Sequence, residues 1–274
     1  MTAPIEPGLY AGVPEAVYHG GPGISSSGAR RLLQVTPHRW RWERENPKPP
    51  SEEMEFGTAV HTLVLGTGAT LVDTGHQKWN TNVAKARVAE IRAAGDVPMR
   101  PLDFEAAHTA AANVRAHESA SRLLTGGIPE LSAYARDPET GVMLRARGDY
   151  VRLRDSHAAL VDDLKTTSES GPDGFLWSVA KYGYHRQQAF YEFVFALLGI
   201  EIEFVFIVVC NAPPYEVFVV DLPRRAVDLG ERDIRRALER YASCVLTDIW
   251  PSHADGIHHI DLPEKTYRQE EWVS

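Results

Sequence analysis

The hydrophobic period of this chain changes near residue 130, and that change limits the folds it can adopt. Before it, apolar residues recur at helical spacing, as in "MEFGTAVHTLVLG", whereas "VMLRARGDYVRL" further on alternates like a half-buried strand. Two strand pairs follow, "VMLRARGDYVRL" with "AALVDDLK" and "EFVFIVVC" with "YEVFVVDL". A helix predicted over residues 173–198 separates the pairs. The pattern predicts an α/β fold with a central mixed sheet flanked by helices and a helical N-terminal part.

The length of the chain predicts its domain organisation. With 274 residues, of which 43% are hydrophobic, it can bury one sizeable core. We predict a single domain over 1–274, with an N-terminal arm and first helix in 1–50 and a core sheet and helix in 125–225. Serines in "ISSSGARRLL" are candidate helix caps, so we expect the first helix to begin near Ser26. No leader pattern or long apolar stretch is apparent, and we expect a cytoplasmic protein.

The net charge argues against one class of protein, and the cysteine content excludes one class of metal site. The net charge of -8 argues against a protein that coats nucleic acid non-specifically, because such binding requires many basic residues. Local basic clusters occur in "GARRLL", "RWRWERE" and "ERDIRRALER", and each is either a DNA-binding surface or a solvated helix face. Two cysteines cannot form a four-thiolate metal or iron–sulfur site.

The first strand pair predicts a cluster of acids. If its turn lies at residues 155–157, Val151 stands opposite Val161 and Asp149 stands opposite Asp163. Directly opposed carboxylates about 5 Å apart repel each other and need a cation or a shared proton. A divalent metal fits this position, since Mg²⁺ is commonly held by one or two carboxylates, water and substrate phosphates.

The same register adds two bases to the cluster. Arg147 stands opposite Lys165, which follows Asp163 by two positions and therefore points to the same side of the strand. An ammonium beside a metal can orient the attacking water or stabilise negative charge on a phosphate. The cluster indicates phosphodiester hydrolysis, although acids beside lysines are also common on exposed strands without any catalytic role.

Several motifs together resemble the PD-(D/E)xK nuclease superfamily. They are "RGDYV", "LVDDLKTT" and "YGYHRQQAFY", and within the superfamily they are similar to the RecE-type exonucleases of phages. "YHGGPGISSSGARRLL" and "FGTAVHTLVLG" extend the resemblance over about residues 18–198. It implies a restriction-endonuclease-like core and a Mg²⁺-dependent 5'-to-3' exonuclease, with Mn²⁺ as a substitute. The implied substrate is the end of linear double-stranded DNA.

The resemblance also implies roles for single residues. Asp149 and Asp163 would bind the metal, together with His61 and the backbone carbonyl of Leu164, and Lys165 would be the catalytic lysine. The further catalytic candidates are Glu130, Gln187 and Tyr191. The DNA-binding candidates are Ser26, Arg30, Arg31 and Arg147.

Each of these roles has a structural alternative. His61 lies on an apolar helix face, where histidines are often purely structural, and Tyr191 lies on an amphipathic helix, where it could simply pack in the core. Glu130 could be a helix N-terminal acid, and Ser26 could be only a cap.

The implied partners are a single-strand annealing protein and further copies of the chain in a homo-oligomeric ring. Two other functions stay open from the sequence. One is a DNA-binding or recombination scaffold without cleavage, and the other is a structure-selective endonuclease of the same superfamily. The retained acids and Lys165 argue against the scaffold, because a binding module has no need of opposed carboxylates.

Overall fold

A computed structural model describes residues 3–254 and 256–268, so the outermost residues of the predicted 1–274 domain lie outside the described residues. The helices in these ranges are α1 (Glu15–Gly20), α2 (Ser26–Leu32), α3 (Pro37–Glu45), α4 (Glu52–Leu65), α5 (Asn82–Ala93), α6 (Pro101–Ala116), α7 (Glu118–Leu123), α8 (Pro172–Tyr182), α9 (Tyr184–Ala196), α10 (Arg224–Thr247) and α11 (Glu264–Arg268). In the described part of the chain, no helix has the length and apolarity to cross a membrane.

The strands form one large mixed sheet and one small sheet. They are β1 (Gly8–Tyr10), β2 (Ile24–Ser25), β3 (Leu71–Asp73), β4 (Val97–Met99), β5 (Ile128–Arg136), β6 (Met143–Leu153), β7 (Ala158–Thr167), β8 (Glu201–Cys210) and β9 (Val217–Val220). The large sheet has the order β1-β5-β6-β7-β8-β9, and β2 also pairs with β6. Strands β3 and β4 form the small sheet. The predicted α/β fold with a central mixed sheet is confirmed.

Helices cover both faces of the large sheet. On one face α2, α9 and α10 bury a core that includes Phe190, Phe195 and Phe206. On the other face α4 and α6 pack over Leu164 and Ile207. Neighbouring residues of β7 therefore point into different layers, since side chains alternate along a strand. This alternation decides which helix each charged residue of β7 can meet.

The helical predictions are confirmed with two differences. A helix does begin at Ser26, but it is α2, because the short α1 precedes it within the Gly- and Pro-rich arm. The helix predicted over 173–198 is two helices, because Gly183 between them has the left-handed φ of 67°. Glycine adopts this φ without steric cost, so the chain can change direction there.

The β6–β7 hairpin has the predicted register only near its turn. Val151 pairs with Val161 as predicted, but the ladder ends at the pair of Tyr150 with Asp162. The predicted pairs of Asp149 with Asp163 and of Arg147 with Lys165 are not formed in the described sheet. The two strands separate here into a fork.

Other partners explain why β6 leaves β7. Beyond the fork, β2 pairs with Leu144 and Arg145 of β6. At the fork itself, the backbone N–H of Leu164 donates to the Asp149 carboxylate at 2.7 Å instead of to a backbone carbonyl of β6. The hydroxyl of Tyr191 donates to the Arg147 carbonyl at 2.6 Å. Side chains thus satisfy backbone groups that a continuous ladder would have paired.

Candidate metal and catalytic centre

Three side chains meet at the fork in an arrangement that could hold a cation. His61 of α4, Glu130 of β5 and Asp149 of β6 each offer a ligand atom, and these atoms lie within 4.8 Å of one another. We call these three residues the metal triad. All three side chains are partly exposed, Glu130 by 32% and Asp149 by 15%. The triad is therefore open to solvent while being held by three separate elements.

Hydrogen bonding fixes the tautomer of His61. Its Nε2 lies 2.7 Å from the Leu164 carbonyl, which can only accept, so Nε2 carries the proton. In the neutral ring the lone pair is then on Nδ1, which lies 3.5 Å from the Asp149 carboxylate. Metal-binding histidines commonly donate their other N–H to a carbonyl in this way. The Leu164 carbonyl thus orients His61. The role of His61 as a metal ligand stays a prediction.

Glu130 reaches the triad through an unusual backbone conformation. It lies inside β5 with a φ of 53°, and the pairs with β6 on either side of it skip the position opposite Asp149. Burial and the neighbouring charge of Asp149 raise the pKa of Glu130 to about 7, against the opposing effect of Arg147. Burial and the second carboxylate thus both disfavour the ionised form of Glu130.

The triad fits a divalent cation. Two carboxylates and one imidazole lone pair are a common donor set for divalent metals, and the ring is already held in the tautomer that such binding requires. Carboxylate oxygens are the ligands preferred by Mg²⁺ and Mn²⁺, while imidazole favours the transition metals. A metal at this position would neutralise the repulsion that Glu130 and Asp149 exert on each other.

Asp163 lies beside the triad in a second, buried group. Its carboxylate forms an ion pair with Lys165 and accepts a hydrogen bond of 2.6 Å from Gln187 Nε2. Burial raises the pKa of Asp163, and the ammonium of Lys165 opposes that rise. Burial also works against the charged form of Lys165, but Asp163 and Asp149 outweigh it and raise the pKa of the lysine. The role of Asp163 as a metal ligand stays a prediction.

Two tyrosines of α9 complete this group. Tyr184 presents its ring to Lys165, with the ammonium 5.1 Å from the ring centroid. Tyr191 closes the fork through its bond to the Arg147 carbonyl. Gln187 and Tyr191 therefore both lie at the site and their catalytic roles stay predictions, whereas Tyr184 is a neighbour of Lys165 that sequence reasoning missed. Its helical spacing, three residues before Gln187, was the signal that could have found it.

Asp162 is isolated on the opposite face of β7. Like Asp163 it is only 1% exposed, but neither of its carboxylate oxygens has a hydrogen-bond partner among the described residues. Burial raises the pKa of Asp162 to about 7, although Arg152 and Arg154 oppose the rise. Among the described residues, the carboxyl group of Asp162 forms no hydrogen bond with the metal triad.

The DNA-binding candidates of α2 have different surroundings. Arg30 lies beside the buried group, since burial lowers the pKa of its guanidinium while Tyr191 and Asp163 oppose that change. The hydroxyl of Ser26, one turn earlier, is buried without a partner in the described structure, and the helix cap is Ser25. Arg31 instead pairs with Glu43 at 2.7 Å, away from the fork.

Arg147 and the arginines of the basic clusters mostly contact other groups of the same chain. Arg147 is buried, donates to Ser132 and to the Val13 carbonyl, and stacks on Tyr18 with its guanidinium carbon 4.1 Å from the ring centroid. It therefore holds the N-terminal arm against β6. Arginines of α3 and α10 also pair with carboxylates, as Arg41 does with Glu45 and Arg236 with Asp233. These contacts favour the solvated-face interpretation of both clusters.

The forked sheet, the acids at the fork and the adjacent lysine define the PD-(D/E)xK type of nuclease fold. Residues 28–263 match the family described as a PDDEXK-like domain of unknown function (DUF3799). The chain belongs to this family. A search of curated proteins gives no match.

One solved structure shares the fold. A protein from Eubacterium rectale, provisionally named an exonuclease, superimposes with a TM-score of 0.57 at 12% identity, over 89% of this chain and 92% of that one. A phage-related exonuclease from Haemophilus somnus gives a TM-score of 0.35 at 10% identity, over 82% of this chain and 96% of that one. The family and the fold together support a nuclease.

Proposed function

We propose that the protein is a metal-dependent exonuclease that degrades linear double-stranded DNA from its 5' ends and leaves 3' single strands. One observation carries the proposal: a metal triad capable of holding a divalent cation lies next to a partly buried, positioned lysine. Asp149 joins the two groups, because its carboxylate belongs to the triad and also accepts from the backbone N–H of Leu164, the residue before Lys165.

The triad supplies the cation site. His61, Glu130 and Asp149 would hold Mg²⁺ or Mn²⁺, and the bound ion would polarise a phosphate oxygen and lower the pKa of water. His61 contributes its Nδ1 lone pair because Leu164 fixes the proton on Nε2. Protein ligands from α4, β5 and β6 leave the remaining positions to water and to the DNA phosphate.

The lysine supplies charge at the reacting phosphate. Asp163 and Tyr184 hold the Lys165 ammonium from two sides, and Gln187 holds Asp163 in turn. A charged ammonium donates to the attacking water or to a phosphate oxygen as negative charge develops, and it needs no reorganisation if it is already positioned. Gln187 acts through Asp163 and is a positioning residue.

Ser26 and Arg30 supply the DNA contact nearest the site. They are four residues apart on α2 and so share a helix face. Arg30 is partly exposed and uses Nη1 for the Tyr182 carbonyl, so its other amino group can donate to a DNA phosphate, whereas the Ser26 hydroxyl is buried and would have to be uncovered first. This local contact reconciles DNA binding with the overall net charge of -8.

The proposal includes two kinds of partner. The 3' single strand produced would be passed to a single-strand annealing protein for recombination. A homo-oligomeric ring around the DNA would keep the enzyme on its substrate and separate basic inner surfaces from acidic outer ones. Gel filtration with light scattering tests the ring, and co-purification with the annealing protein tests the other partner.

Digestion of labelled DNA tests the function itself. Linear duplex labelled at the 5' or 3' end, and covalently closed circles of the same sequence, are incubated with Mg²⁺, Mn²⁺, Ca²⁺ or EDTA. The proposal requires release of the 5' label from linear DNA in Mg²⁺ or Mn²⁺, intact circles, and no cleavage with EDTA or Ca²⁺. Lys165→Ala, purified in parallel, controls for contaminating nucleases.

The same assay separates the alternatives. Equal digestion of closed circles would identify an endonuclease. DNA binding without cleavage in any metal would identify a silent scaffold. Release of the 3' label first would reverse the proposed polarity.

A further inference from the structure

An aromatic path leads from the core of the protein through the catalytic group to the surface. Phe206 contacts Tyr184, whose ring lies 5.8 Å from that of Phe206 and 5.8 Å from that of Tyr182. Tyr184 is the ring that faces the Lys165 ammonium. Tyr182 ends the path with 48% of its surface exposed. It is therefore two side-chain contacts away from the catalytic lysine and open to solvent.

The position of Tyr182 is fixed although its ring is exposed. Arg30 Nη1 donates to the Tyr182 carbonyl at 2.9 Å. The next residue, Gly183, has a left-handed φ of 67° and donates its N–H to the Val179 carbonyl. The ring also lies at a tilt of 30° to that of Tyr184. A ring whose backbone is held in this way and whose neighbour is Tyr184 loses less freedom when it binds a ligand.

One cation lies over the ring and a second binds the backbone of the same residue. The Lys181 ammonium is 5.0 Å from the Tyr182 ring centroid, and Arg30 lies at its backbone. Exposed aromatic rings between basic side chains are the common way in which proteins bind an unpaired nucleic-acid strand, with the base on the ring and the phosphates on the cations. A base inside a duplex has both faces stacked, so only a terminal or unpaired base can offer one.

We infer that Tyr182, with Lys181 and Arg30, forms a stacking site for a terminal or unpaired base of the DNA strand whose phosphate is cleaved at Lys165. This inference rests on the proposed function and names its substrate more narrowly, as a frayed DNA end. The site would hold the strand after it leaves its complement and align the next phosphate. Tyr182 is a positioning residue in this scheme.

Trp177 provides a matched control on the same helix. It is 70% exposed, but it lies about 200° around α8 from the buried Phe175, so it points away from the path. An exposed aromatic ring of α8 is therefore available that does not contact Tyr184 in the described structure. If removal of any exposed aromatic ring from α8 lowered activity, Trp177→Ala and Tyr182→Ala would both show the loss.

Fluorescence measures the stacking directly. Duplexes carry 2-aminopurine at the 5'-terminal position or at an interior position, and they are mixed with protein in Ca²⁺ buffer. We expect wild type, Tyr182→Phe and Trp177→Ala to change the signal of the terminal probe alone, and Tyr182→Ala and Tyr182→Leu to leave it unchanged. Leucine keeps apolar bulk without a ring, and thermal melting checks that each variant is folded.

Kinetics measure the consequence. On linear duplex in Mg²⁺, Tyr182→Ala and Tyr182→Leu should lower kcat/KM by about 5- to 150-fold, the range of one lost base stack. Terminal mismatches should increase the rate of wild type more than that of these two variants. Tyr182→Phe and Trp177→Ala should stay near wild type.

Several results would overturn the inference. They are normal activity of Tyr182→Ala, equal losses in Tyr182→Ala and Trp177→Ala, or a loss in Tyr182→Phe as large as in Tyr182→Ala. An unchanged terminal-probe signal with wild type would overturn it as well. Because the fluorescence needs no cleavage, it still decides the stacking if wild type cuts no DNA, a result that would by itself overturn only the exonuclease proposal.

Discussion

The metal triad and the Asp163–Lys165 pair lie side by side, yet their electrostatics differ. The triad places two carboxyl groups and an imidazole in a partly exposed position, and burial together with the charge of Asp149 raises the pKa of Glu130 to about 7. The pair contains its own counter-charge, and Asp163 is only 1% exposed. The pair is neutralised by its own residues, whereas the triad brings two acids together without a lysine or arginine of its own. Substitutions in the two halves should therefore fail in different ways.

The largest effect is expected at Asp149, which belongs to the triad and contacts β7. Asp149→Asn removes one of two carboxylates from the cation site, so Mg²⁺-dependent cleavage should fall to background and metal binding should be lost. Calorimetry with Mn²⁺ measures the binding, and digestion of end-labelled duplex measures the activity. Metal affinity equal to that of wild type would show that the triad is not the metal site.

The next effect concerns the lysine. Lys165→Ala should keep Mn²⁺ binding but reduce turnover by roughly 10²- to 10³-fold, which is typical of removing one donor to the transition state. Lys165→Arg retains the charge and serves as its control. Loss of metal binding in Lys165→Ala would mean that the two halves of the site are not separable.

A smaller effect is expected at Gln187, because it acts through Asp163. Gln187→Ala should lower activity by about 10- to 100-fold, as is typical when a supporting hydrogen bond of a site is removed, while melting temperature changes little. Gln188→Ala, one position along α9, is the neighbouring control. A fall in melting temperature as large as that of a core truncation would assign Gln187 to packing.

The smallest effect on activity is expected at Asp162, which points to the other layer. Asp162→Asn should keep most activity, whereas Asp163→Asn, equally buried, should abolish it. Stability should also respond, since the folded-state pKa of Asp162 is about 7 against an ordinary value of 3.8. Ionising it in the folded state then costs up to about 4 kcal/mol, a cost absent below pH 4 and complete above pH 7.

Urea unfolding at several pH values tests this. The stability of Asp162→Asn relative to wild type should increase between pH 4 and pH 7 and then level off. Any cost of the unpaired amide is the same at each pH and cancels from this trend. A difference independent of pH would show that Asp162 is not buried in its charged form, and an inactive Asp162→Asn beside an active Asp163→Asn would contradict the assignment of the two faces.

The fold could be predicted because its signals are local. Alternation in β6 and β7 gave the register around Val151, and the apolar spacing of α4 placed His61 on a helix that packs with one face on the sheet. The fork could not be predicted, because it depends on where β2 and Tyr191 meet β6, and these contacts join distant parts of the chain. The regular hairpin register continues only as far as Tyr150 and Asp162, because other partners bind the backbone of β6 beyond that pair.

The identity of the residues that meet at Asp149 also depends on contacts between distant parts of the chain. Sequence spacing selected Asp163 as a partner of Asp149, whereas the structure brings Glu130 and His61 to Asp149. Glu130 reaches this position only through its positive φ, which no local pattern announces for a glutamate. The order of the motifs predicted the candidate site residues, whereas tertiary contacts determine which of them lie next to one another.

The bond between His61 and the Leu164 carbonyl has a consequence for how such sites can evolve. Every amino acid carries a backbone carbonyl, so the group that orients the imidazole survives any substitution at position 164 that keeps the strand in place. Selection on that side chain is then left to its packing beneath α4. Distant descendants could keep the histidine correctly oriented while their sequences diverge around it, and only a comparison of backbones would reveal the shared device.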